Sequence, residues 1–290
     1  MMAMVPRAGP APDGARARRD RRATAAGSAD LADRGPVVVL ATAYSGAERL
    51  RSLLDGRPGL ACTPGIGVLP LCEQAVAVWR NADGRPEGGP LSPLAAASTR
   101  ALTDAVITSV LTRAGKRRWC EFCYAMPEAA AMFAQLYPGT RFVCLYRSCS
   151  DVIRAALNAS PWGLADPALA PFIRAYPAST AAALAAYWIG HTRSLLAFEA
   201  AHPQAVLRVR FEDLAAAEQQ TAWAVMSFLG VASRDGDAAL TRDSHAQPDS
   251  VVSPARTDLP AGLIPRAVLA QANDLLRQLD YPALPGSETT

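Results

Sequence analysis

No apolar run in this chain approaches the length of a membrane span, which is about 20 residues, so the sequence predicts a soluble protein. Metal-binding spacing is missing too. The six cysteines, at 62, 72, 120, 123, 144 and 149, contain one CxxC, Cys120 to Cys123, with no second pair and no histidine at zinc distance, which excludes a zinc module. Several lie inside apolar runs and read as buried free thiols of a reducing cytoplasm. A basic face is absent as well. Residues 1–35 hold seven Arg and four Asp and carry the whole formal +3; the other 255 residues have 22 basic and 22 acidic side chains. That balance excludes a nucleic-acid binder built on charge. A targeting segment is one reading of the tail, but the arginines between Arg16 and Arg22 are followed by no apolar h-region, so a secretory signal is not expected. Residues 1–35 read as a disordered basic leader and residues 36–285 as a single domain.

The most informative stretch is Pro36 to Leu50. Val37 to Ala41 is apolar throughout, the pattern of a strand buried on both faces. Thr42 to Gly46 forms a turn, and from Ala47 the spacing becomes helical, with Leu50, Leu53 and Leu54 on one side. A strand opening through a Ser-Gly turn into a helix points free N–H groups and a helix dipole at one spot, which suits an anion. The turn contains no lysine and lacks the GxxxxGK[ST] spacing, which excludes a P-loop kinase.

Strands and helices then alternate. Leu60 to Cys62, Arg117 to Phe122, Arg141 to Tyr146 and Val206 to Phe211 read as strands. Leu71 to Trp79, Pro93 to Arg113, Pro127 to Tyr137, Asp151 to Asn158, a long helix ending near Ala201, Asp213 to Leu229 and Ile264 to Leu279 read as helices. Residues 159–177 form a Pro-rich aromatic loop with Trp162, Phe172 and Tyr176, and residues 232–260 are irregular. The order predicts an α/β fold of three layers, α/β/α, around a central parallel sheet with ligands at its carboxyl edge.

With the elements placed, the order of motifs resembles the sulfotransferase family, which uses 3′-phosphoadenosine 5′-phosphosulfate (PAPS). Ala43 to Glu48 looks like that family's 5′-phosphosulfate loop, and Leu53 to Gly59 like the segment after it. Arg118 to Cys123 sits where the family has Trp-x-Glu-Lys-Ser/Thr. Leu136 to Val152 resembles the segment whose arginine, here Arg147, holds the 3′-phosphate. Leu207 to Leu214 and Phe228 to Gly230 resemble two later motifs. The resemblance covers most of residues 36–280 and implies a P-loop-like sulfotransferase fold. It implies sulfuryl transfer from PAPS, without a metal, to a hydroxyl or amine of a small-molecule acceptor, a specialised metabolite among the options. Ser45, Gly46 and Ala47 would supply backbone donors, and Arg147 a two-pronged clamp.

Four positions depart from the pattern. Tyr44 replaces a Lys or Arg near the bridging oxygen, and losing one preorganised donor there costs about 10²–10³ in rate. Phe122 replaces a further Lys, and Ala155 stands where a 3′-phosphate Ser is expected. Glu48 falls on a phosphosulfate-binding Thr; a carboxylate about 4 Å from another negative charge costs roughly 4 kcal/mol at an effective dielectric of about 20. Glu48 therefore turns away, pairs with Arg49 or Arg51, or marks a site that no longer binds this donor; Arg49 and Arg51, in the first helical turn, are expected to restore the missing charge. For the proton of the acceptor, Glu73 is a candidate base or an exposed helix carboxylate. His245 reaches the site if its loop folds over, and Arg256 lies where the family's C-terminal loop adds a phosphate contact. His191 reads as a core histidine, Asp151 and Asp213 as helix caps, and Glu212 as structural. A cytoplasmic enzyme without nucleic-acid or membrane partners follows; the alternative is a sulfotransferase-fold binding or scaffolding protein that has lost catalysis.

Overall fold

Val37–Ala41 forms β1, buried at every position, and around it the alternation of side chains decides which helices cover which face. Val38 and Leu40 face one core, and Val37, Val39 and Ala41 face the other. In the computed structural model, residues 35–57, 59–62, 67–84, 89–124, 127–159, 167–231 and 261–285 are described. The other strands among them are β2 (Leu60–Cys62), β3 (Arg118–Cys123), β4 (Arg141–Tyr146) and β5 (Val206–Arg210). All pair in parallel, in the order β2-β3-β1-β4-β5.

The helices are α1 (Ala47–Asp55), α2 (Val68–Asp83), α3 (Pro93–Ala114), α4 (Pro127–Leu136), α5 (Cys149–Ala159), α6 (Ala170–Ala175), α7 (Thr180–Ala201), α8 (Phe211–Ala216), α9 (Glu218–Leu229) and α10 (Arg266–Gln278). Residues of α2, α3, α4, α5, α7 and α10 fill the core on one face of the sheet, and those of α1, α8 and α9 the core on the other. The three-layer α/β/α expectation holds.

Besides the short helix α6, Ala170–Ala175, inside the aromatic loop expected over residues 159–177, three readings change. The expected single helix over Asp213–Leu229 breaks at Ala217, which has φ −137° and ψ 59°, and Thr221 ties the two pieces by donating to the Asp213 carbonyl at 3.1 Å. Asp213 therefore caps nothing. At α5 the cap is Ser148, whose hydroxyl oxygen accepts from the Asp151 N–H at 3.3 Å. The third concerns α3, which is long and apolar enough to span a bilayer by length and composition. Two of its charges are engaged within the domain: Arg100 donates to the Leu136 carbonyl at 2.8 Å, and Asp104 accepts from Tyr137 at 2.7 Å. All six cysteines are buried free thiols. The leader up to residue 34, Trp162, and residues 232–260 with His245 and Arg256 lie outside the described residues.

Candidate functional site

The sheet order creates a crevice. From β1 the chain leaves toward β2 at one edge; from β4 it leaves toward β5 at the other. Between such neighbours the connections diverge and leave a cleft above the strands' carboxyl ends. Tyr44 to Gly46 follow β1, and Arg147 follows β4. The two segments singled out by the sequence therefore meet.

The turn is held in an uncommon conformation. Tyr44 has φ 64° and Gly46 φ 79°, a region that costs a side chain with a Cβ about 1–2 kcal/mol. Neighbours hold it there. The Ala43 N–H donates to the buried Tyr187 hydroxyl at 3.0 Å, and Arg147 Nη1 donates to the Tyr44 carbonyl at 3.1 Å. Gly46 is required for a second reason: a β carbon there would lie inside the van der Waals surface of the Phe211 ring. On that ring rests the Arg147 guanidinium, 4.3 Å from its centroid. Phe211 thus sits against both the turn and the arginine. The sequence showed it only as one letter of a motif.

Ser45 offers something other than the expected amide. Its N–H closes a turn onto the Thr42 carbonyl at 3.2 Å, while its fully buried hydroxyl has no partner. An orphaned buried polar atom costs about 1–3 kcal/mol, so it marks a place where an incoming acceptor atom would be welcome. The amides at the head of α1, Ala47 and Glu48 among them, have no carbonyl a turn earlier to bind.

Arg147 is 7% exposed, and its Nε also lacks a partner. Burial lowers its basicity, Asp151 and Glu212 oppose that, and Arg154 adds to the lowering. Its backbone is pinned: the Trp188 indole donates to its carbonyl at 3.0 Å, and the Ser148 N–H donates to Glu212 at 3.0 Å. Glu212 is in turn held by the Tyr281 hydroxyl at 2.7 Å, so its structural reading fits.

Of the expected outcomes for Glu48, pairing with Arg51 is the one found, and it leaves the two arginines arranged differently from the expected charge restoration. Glu48 turns to Arg51 Nε at 2.6 Å, with the Tyr124 hydroxyl at 3.5 Å. Arg49 Nε donates to Glu218 of α9 at 2.9 Å. Each guanidinium faces a carboxylate, so neither brings uncompensated charge. Phe122 is buried in the core with α1 and α9, and Ala155 is buried on α5. Phe172 and Tyr176 pack against the other core, and His191 lies against Tyr187 there, at 4.3 Å between ring centroids. Glu73 is exposed on the second turn of α2.

That helix begins on a buried acid. Glu121 of β3, 6% exposed, accepts from the Leu69 N–H at 3.3 Å while its second oxygen has no partner. Burial pushes its carboxyl up to about 7, partly opposed by the N–H groups of Leu69 and Val68. The sign follows: the folded state holds this proton above the unfolded value of 4.5. Stability is therefore greatest below that value and falls as pH rises toward 7, by about 3 kcal/mol from this group. Glu121→Gln is expected to remove that slope and to gain thermal stability over the parent between pH 5 and 8. A parent-to-variant difference that stays constant with pH would contradict this.

The family model for sulfotransferases matches residues 36–235. The chain belongs to the sulfotransferase family. It is a transferase, and its fold is that of solved sulfotransferases. The sulfotransferase domain from the curacin biosynthetic pathway is 18% identical over 86% of this chain and 98% of its own, with a TM-score of 0.58. The sulfotransferase domain of the Synechococcus PCC 7002 olefin synthase is 18% identical over 85% and 94%, at 0.56. A sulfotransferase from Alicyclobacillus acidocaldarius is 17% identical over 84% and 95%, at 0.52. At such identities the likeness speaks for the fold alone. Comparison with curated protein sequences gives no match.

Proposed function

We propose that this sulfotransferase takes its sulfuryl group from PAPS and passes it to a hydroxyl or amine of a small-molecule acceptor. One observation carries the reading: a glycine turn with an unpartnered buried hydroxyl faces a buried arginine whose Nε lacks a partner, across the β1–β4 crevice. The 5′-phosphosulfate would lie on Ser45 and the head of α1, and the 3′-phosphate against Arg147. Bound there, the donor supplies the activated sulfuryl group. The chain supplies position and hydrogen-bond donors for developing negative charge, the terms that dominate transfer of a compact anionic group.

Tyr44 would offer its phenol near the bridging oxygen in place of a cation. Glu73 is proposed as the acceptor's base because it is an exposed carboxylate on the helix anchored by Glu121; His245 and Arg256 complete the proposed site. A specialised metabolite as acceptor and a cytoplasmic setting remain part of this proposal.

The expected result is a rise of several degrees in melting temperature with millimolar 3′-phosphoadenosine 5′-phosphate (PAP), because a ligand of the native state alone stabilises it. Absence of a shift in a folded sample would overturn the donor assignment. Glu73→Gln should leave that shift intact while lowering turnover; unchanged turnover removes Glu73 from the mechanism. The second reading, a binding protein without catalysis, draws on Glu48 and Ala155, and holds if PAP binds but PAPS is never consumed.

A further inference from the structure

Arg154 lies one turn inside α5, in the residue before Ala155, and its surroundings aim it back toward the crevice. Its Nη2 binds Asp151 Oδ1 at 2.8 Å. The other Asp151 oxygen accepts from the Ser148 hydroxyl at 2.8 Å, and Ser148 directly follows Arg147. A fixed chain of Ser148, Asp151 and Arg154 therefore ties the guanidinium to the amino end of α5, the end that follows the clamp arginine in the chain. The side chain is 28% exposed, yet its Nε is buried without a partner. Arg154 is close enough to lower the basicity of Arg147, while Asp151 and Glu212 raise it. Two cations brought together with two unfilled N–H groups fit a multiply charged oxyanion, because each guanidinium fork has five donors. Asp151 offsets part of the charge but binds Arg154 through Nη2, and it fixes the fork before ligand arrives, which reduces the ordering cost of binding.

We propose that Arg154 is a second guanidinium ligand for the donor's 3′-phosphate, taking the place of the hydroxyl that Ala155 lacks. This rests on the PAPS reading above. It makes the 3′-phosphate subsite a pair of arginines from the end of β4 and the first turns of α5. The pair predicts strong discrimination between donors with and without that phosphate.

The test compares two ligands on the full-length protein by calorimetry. PAP carries the 3′-phosphate; adenosine 5′-phosphosulfate lacks it. Arg154→Ala is expected to weaken PAP about ten- to a hundredfold, as loss of a charged hydrogen-bond donor does, and to leave adenosine 5′-phosphosulfate within about twofold. Arg154→Lys should recover part of the loss, and thermal melts without ligand should show both variants folded. Three outcomes overturn the proposal. If PAP binds Arg154→Ala as tightly as the parent, Arg154 is no ligand and the donor reading stands. If both ligands weaken alike, its contact is not with the 3′-phosphate. If the parent binds neither, the donor reading falls and takes this one with it.

Discussion

Replacing Gly46 by alanine is expected to abolish PAP binding and to lower the melting temperature of the ligand-free protein by roughly 5–15 °C. Two costs combine. The left-handed backbone at φ 79° penalises a β carbon by about 1–2 kcal/mol. The Phe211 ring, which occupies the space that carbon needs, adds roughly 1–3 kcal/mol of overpacking. The loss of function exceeds what destabilisation explains, because Phe211 moves with it and carries the Arg147 guanidinium. Gly46→Ala combined with Phe211→Ala separates the effects. The double variant should regain part of the melting temperature, since the clash is gone, and still fail to bind PAP, since Arg147 has lost its support. Recovery of binding would show that Phe211 only fills space.

Arg147→Ala is expected to weaken PAP by about a hundredfold or more, the loss typical of removing one partner from a buried charged contact. Arg147→Lys should fall between parent and alanine: it keeps the charge but loses the planar fork and the stacking on Phe211. The arginine also donates to the Tyr44 carbonyl, so its removal loosens the strained turn on the opposite wall. For that reason Gly46 and Arg147 are coupled through a shared neighbour, and their losses in a double-mutant cycle should be non-additive by more than about 0.5 kcal/mol. Thermal melts of the ligand-free variants measure that cycle, and calorimetry with PAP measures the Arg147→Ala and Arg147→Lys losses. A Kd for Arg147→Ala within threefold of the parent would remove Arg147 from the site.

Those couplings mark the boundary of what the sequence could show. The alternating order of strands and helices made the parallel sheet legible, because hydrophobic periodicity and turn residues are local signals. The β4 run and the Pro93 opening of α3 were legible for the same reason. Pairing was not local. The same periodicity placed Trp188 on the buried face of its helix, but nothing in it showed the indole on the Arg147 carbonyl or the Tyr187 hydroxyl under Ala43. Glu121 looked like a motif position; only the burial created by α2 and β3 raises its carboxyl. The pairing of Arg51 with Glu48, three residues away, was among the readings, whereas the partner of Arg49, Glu218 of α9, came only with folding. The break at Ala217 escaped because no glycine or proline marks it.

The most direct test of the account is a crystal structure of the protein grown with PAP. The account predicts one nucleotide in the β1–β4 crevice, its 5′-phosphate on the Ser45 hydroxyl and the amides at the head of α1, and its 3′-phosphate in hydrogen-bond contact with the Arg147 guanidinium. A PAP bound elsewhere on the sheet, or seated in the crevice with Arg147 still directed only at the Tyr44 carbonyl, would contradict it.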